Sequence, residues 1–65
     1  MMGEKHYWVI QLIKGVYNTY GPYYTEVGAR HRYEKTSGGE VFLHDSWCDK
    51  PEEAVDEFKA SKVGE

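Results

Sequence analysis

Sixty-five residues make one small domain with a single thin core, because a chain this size buries only about 60% of the surface its unfolded form exposes. With 40% hydrophobic and 29% charged residues the composition is globular rather than disordered, and a net charge of −3 (pI about 5.5) disfavours unspecific attraction to phosphate. No apolar run reaches the roughly 18 residues of a membrane span, Met1 to His6 lack the apolar stretch of a secretory signal, and one cysteine allows no intramolecular disulfide. A cytoplasmic protein off the membrane is expected.

Residues 6–13, His-Tyr-Trp-Val-Ile-Gln-Leu-Ile, are rich in β-branched and aromatic residues and stop at Lys14-Gly15. A period of two sets Trp8, Ile10 and Leu12 on one face and Tyr7, Val9, Gln11 and Ile13 on the other. Both faces are largely apolar, which predicts a central strand. Residues 14–22 then carry the turn formers Gly15, Asn18, Gly21 and Pro22 among the strand-prone Val16, Tyr17, Thr19 and Tyr20. Either these residues form an aromatic loop, or 15–19 extend one arm of a hairpin.

From Tyr23 to Tyr33 the residues alternate again, with Tyr23, Thr25, Val27, Ala29, His31 and Tyr33 opposite Tyr24, Glu26, Gly28, Arg30 and Arg32. This predicts a half-buried antiparallel strand. Thr36-Ser37-Gly38-Gly39 reads as a hairpin turn, followed by a third strand from Glu40 to Trp47. Asp49-Lys50-Pro51-Glu52 reads as a helix start with Asp49 as cap, and Ala54, Val55 and Phe58 form a short apolar stripe on a helix over 50–62.

The expected fold is α+β, with one domain over 1–65 and frayed termini at 1–5 and 63–65. It is a three- to four-stranded antiparallel meander with one C-terminal helix packed on one face, βββα. Its expected core is Trp8, Ile10, Leu12, Val27, Ala29, Val41, Leu43, Trp47, Val55 and Phe58.

Little points to catalysis. His44 and Cys48 are four apart, and His6 and His31 are candidates to meet across strands, but structural zinc usually needs four ligands and often a paired-cysteine knuckle. Cys48, His44 and Asp45 lie close in sequence, yet a small sheet with one helix offers little depth for a reaction pocket. Gly38-Gly39 does not stand between a strand and a helix, as a nucleotide loop would. No enzyme activity, metal or cofactor is expected.

Two binding classes remain. Six tyrosines, two tryptophans and two phenylalanines exceed what so small a core can hide. Tyr17, Tyr20, Tyr23 and Tyr24 surround a turn, the composition of a recognition loop. Glu53, Asp56 and Glu57 belong to an acidic helix start suited to a basic partner surface. This predicts an accessory domain that binds another protein as an inhibitor or regulator, the kind viruses and mobile elements encode. An exposed strand edge also offers a route to a homodimer.

The alternative is nucleic acid, contacted by Tyr24, Arg30 and Arg32 on an open sheet face with Lys35 in the same basic patch. The layout of Lys5-His6-Tyr7, Gln11-Leu12, Gly28-Ala29-Arg30 and Pro51-Glu52-Glu53-Ala54 through Phe58 resembles that of the DNA-binding WGR domains. Val27-Gly28-Ala29 stands where their Trp-Gly-Arg would, with a longer spacing after it. The three-strand-plus-helix outline is also similar to integrase arm-binding domains, whose sheet is usually basic. Neither resemblance assigns a family.

Overall fold

The computed structural model describes residues 5–63, with side chains through 61. Its elements are β1 (His6–Ile13), β2 (Val16–Tyr23), α1 (Glu26–Lys35), β3 (Glu40–Ser46) and α2 (Pro51–Val63). The strands form one antiparallel sheet in the order β2-β1-β3. Of the termini expected to fray, residues 1–4 and 64–65 lie outside the described residues; Lys5 forms an ion pair with Asp45 at 2.7 Å.

β1 is central, as its two apolar faces require. It turns into β2 through Lys14 and Gly15, whose φ values of 51° and 79° are both positive. That is the geometry a two-residue hairpin favours. Residues 16–23 are therefore a strand, and the hairpin alternative holds over the aromatic loop. The register runs without a break from Ile13↔Val16 to Val9↔Tyr20 and shifts before Tyr7↔Tyr23. Gly21 lies at that shift with φ 131°, ahead of a cis bond to Pro22.

The strand expected over 23–33 is a helix instead. Thr25 caps α1, its side chain accepting from the Gly28 N–H at 3.1 Å. Glu26 in the first turn and Arg32 and Lys35 in the last suit the helix dipole, and Glu26 lies 3.7 Å from Arg30 one turn on. The expected strand faces fail on one pair: Ala29 is fully buried while Val27 is 79% exposed. Those two stand about 200° apart on a helix and so face opposite ways. The chain therefore carries two helices, and β3 joins β1 on the side away from β2, so the sheet is not a meander.

Thr36 to Gly39 is the link from α1 to β3 rather than a hairpin. Gly38 and Gly39 have φ values of 103° and 61°, and a Cβ at Gly39 would collide with the Leu12 carbonyl. α2 begins one residue later than expected. The Lys50 carbonyl, not that of Asp49, accepts the first helical bond, from Ala54 at 3.0 Å.

The two helices cover opposite faces of the sheet. Under α2 lie Trp8, Ile10, Ala54 and Phe58, with Tyr17 and Phe42 packed against them. The Phe58 ring centre is 5.0 Å from that of Phe42, 5.6 Å from His44 and 6.4 Å from Tyr17. Under α1 lie Val9 and Ala29, both fully buried, and the buried amide of Gln11. Gln11 Nε2 donates to the carbonyls of Ser37 (2.8 Å) and Gly38 (3.0 Å), and Oε1 accepts from the Tyr20 hydroxyl (3.0 Å). One side chain of the central strand thus ties together the neighbouring strand and the link into β3.

Of the expected core, Trp8, Ile10, Ala29 and Phe58 are buried, and Leu12, Val41 and Val55 are half-buried. Val27, Leu43 and Trp47 are exposed instead. Val27 lies on the outer side of α1, Leu43 on an edge strand and Trp47 beyond the end of β3.

Candidate functional site

The tyrosines expected to cluster on a loop are distributed along β2. Tyr20 gives its hydroxyl to Gln11, and the Arg32 guanidinium lies 5.0 Å above its ring. The Tyr23 hydroxyl accepts from Arg32 Nε at 3.1 Å, a bond that raises the Arg32 pKa further. Both rings therefore serve to dock α1 on the sheet. Tyr24 just beyond β2 is 65% exposed and packs its ring 5.1 Å from that of His6. Tyr17 turns to the other face, where its ring contacts Phe58 and the Lys59 ammonium 5.2 Å away.

The acidic candidates also separate. Glu57 is bound to β3: the Ser46 hydroxyl and the His44 imidazole, 2.8 Å away, both hydrogen-bond its carboxylate and hold its pKa below the ordinary range. Ser46 is itself buried and accepts from the Cys48 N–H at 2.9 Å, and the Cys48 carbonyl accepts from Trp8 Nε1 at 3.3 Å. This chain of bonds fastens the middle of α2 to the end of β3, and the link between them to Trp8 of β1. His44 thus has a side-chain partner and Cys48 is held by its backbone N–H and carbonyl, and among the described residues no group of three or more metal-binding side chains forms. Glu53 is exposed and lines neither of the grooves described next. Asp56 does line one.

That groove, of about 310 Å³, runs between β2 and α2 and is lined by Tyr17, Thr19, Pro51, Glu52, Val55 and Asp56. Tyr17 and Asp56 are the two sequence candidates that the fold brings together. Glu52 joins them because it stands one helical turn before Asp56, on the same side of α2. Among the described residues the ion pairs are Lys5–Asp45, Arg30–Glu26 and His44–Glu57, and none involves Glu52 or Asp56. The groove thus combines an aromatic and aliphatic floor, with the Lys59 ammonium near the Tyr17 ring, and two carboxylates that have no ion-pair partner among the described residues.

A second groove of about 340 Å³ lies at the other side of the sheet, lined by Lys5, Tyr7, Glu26, Leu43, His44 and Asp45. The hydrogen bond from Lys5 lowers the Asp45 pKa and raises that of Lys5, so this groove holds a closed ion pair.

The residues considered for nucleic acid do not share a sheet face. Arg30, Arg32 and Lys35 stand on α1, with Arg32 held by Tyr20 and Tyr23 and Arg30 near Glu26. Tyr24 precedes the helix. Among the described residues no helix is long and apolar enough to cross a membrane. No family model, curated protein or solved structure matches this chain.

Proposed function

We propose that this chain is a non-enzymatic accessory module that binds a basic segment of another protein in the groove between β2 and α2. The observation that carries this reading is the pairing of Glu52 and Asp56, both without ion-pair partners among the described residues, over Tyr17, Pro51 and Val55. A Lys or Arg side chain has a long apolar stem and a charged head. The floor suits the stem and the carboxylates suit the head. The net charge of −3 attracts such a partner from a distance, and the single thiol of Cys48 suits the reducing cytoplasm. Binding there would regulate or inhibit the partner by covering its basic surface.

The test is capture from host lysate treated with nuclease, with the wild-type chain compared with Glu52→Lys/Asp56→Lys. The wild type should retain a protein that the double variant loses. Equal retention by both would refute the groove. Loss of all retention on nuclease treatment, or heparin binding abolished by Arg30→Ala/Arg32→Ala, would favour nucleic acid instead.

A further inference from the structure

The two edges of the sheet are not equivalent. β2 is interrupted: Pro22 has no N–H to offer, and the register shifts beside Gly21. These are the features that blunt an edge against pairing. β3 has neither. Its seven residues contain no proline or glycine, and its pairing with β1 runs unbroken from His6↔Ser46 to Leu12↔Glu40. Its outer side faces no other strand among the described residues. Leu43, at its midpoint, leaves 38% of its surface exposed, and Trp47 just past its end leaves 58%.

We propose that β3 pairs antiparallel with β3 of a second copy of this chain, joining two sheets into one of six strands. An antiparallel edge is complementary to itself across a two-fold axis. Full overlap of the seven residues sets that axis at Leu43. Leu43 then faces Leu43 of the second copy, Glu40 faces its Ser46, and Asp45 faces its Val41. No carboxylate meets another, and Asp45 is already neutralised by Lys5. The exposed leucines cover each other at the centre, and each Trp47 falls opposite Gly39 of the other copy, where no side chain stands in its way. The two α1 helices share one face of the joined sheet and the two α2 helices the other. The β2–α2 groove stays open at the far edges, so this pairing is independent of partner binding.

Sedimentation of the full chain over a concentration series should show a species of twice the 7.6 kDa chain mass. Leu43→Lys sets two ammonium groups face to face and should raise the dissociation constant at least about tenfold. Val16→Lys on the β2 edge should leave it unchanged. In a Cys48→Ser background, Leu43→Cys should form a disulfide-linked dimer under mild oxidation, because opposed residues in antiparallel pairs stand about 4.5–5.5 Å apart at Cα. Val16→Cys should not. Added salt should tighten self-pairing of two chains of like charge, the opposite of its effect on a basic partner. A monomer at every concentration, or cross-linking through Val16→Cys rather than Leu43→Cys, would overturn the proposal.

Discussion

Gln11→Ala is the substitution that most directly probes how the central strand is tied to β2 and to the link into β3. Gln11 is 4% exposed and satisfies three groups at once: the carbonyls of Ser37 and Gly38 and the hydroxyl of Tyr20. Each such bond is worth about 0.5–1.5 kcal/mol net, and partners left buried without a bond cost more. Truncation should therefore destabilise the fold by about 2–4 kcal/mol, a large share of what a domain this small possesses. Gln11→Glu is harsher, because it replaces two donors with a carboxylate oxygen facing two carbonyls. Burial and those carbonyls raise the folded pKa of the new carboxyl above its unfolded value. Its folded state is then least disfavoured at acid pH and loses stability as pH rises. Urea unfolding followed by tryptophan fluorescence, Trp8 being in the core, measures both variants. A loss below about 0.5 kcal/mol for Gln11→Ala would refute the view of this amide as the clip between β1, β2 and the link into β3.

Three further outcomes follow from the same contacts. Phe58→Ala removes the ring that Phe42, His44 and Tyr17 surround and should cost about 3–5 kcal/mol by denaturant titration. The carboxyls of Asp45 and Glu57 both sit below their ordinary values of 3.8 and 4.5, so their stabilisation is complete above those values and is lost as pH falls through the lowered ones. Glu57→Gln should accordingly shallow the acid limb of the stability–pH curve measured by thermal melts. Leu43→Lys, exposed on its edge strand, should leave the melting temperature of the monomer nearly unchanged while dissolving the proposed dimer.

Legibility in the sequence followed the strength of the local pattern. β1 declares itself through a run of eight residues of which six are apolar or β-prone, and α2 through Pro51, its early acids and the Ala54–Phe58 spacing. The α+β class, strands β1 and β3 and the C-terminal helix on the sheet were readable from such signals; β2 was not settled, because Asn18, Gly21 and Pro22 break up its strand-prone residues. α1 was not, because it buries only Ala29 and presents no apolar stripe for a helical period to show. The same residues happen to alternate, which mimics a strand. The available signal was at the ends: Thr25 ahead of Glu26, Glu26 four before Arg30, and basic residues in the last turn. The groove was half legible. Tyr17 and Asp56 stood out as an aromatic and an acid, but Glu52 entered only once α2 was seen to lie beside β2. Tyr20, Tyr23 and Glu57 were singled out for the same residue chemistry, and the fold engages each of them in holding a helix to the sheet.

The account rests on one groove receiving a cationic side chain. Titration of the isotope-labelled chain with a short peptide rich in Lys and Arg, followed by amide chemical shifts, tests it directly. The account predicts saturable shifts at Tyr17, Thr19, Val55 and Asp56 that weaken as salt rises and vanish in Glu52→Lys/Asp56→Lys. Shifts centred on the Lys5–Asp45 groove, or spread evenly over every acidic residue, would contradict it.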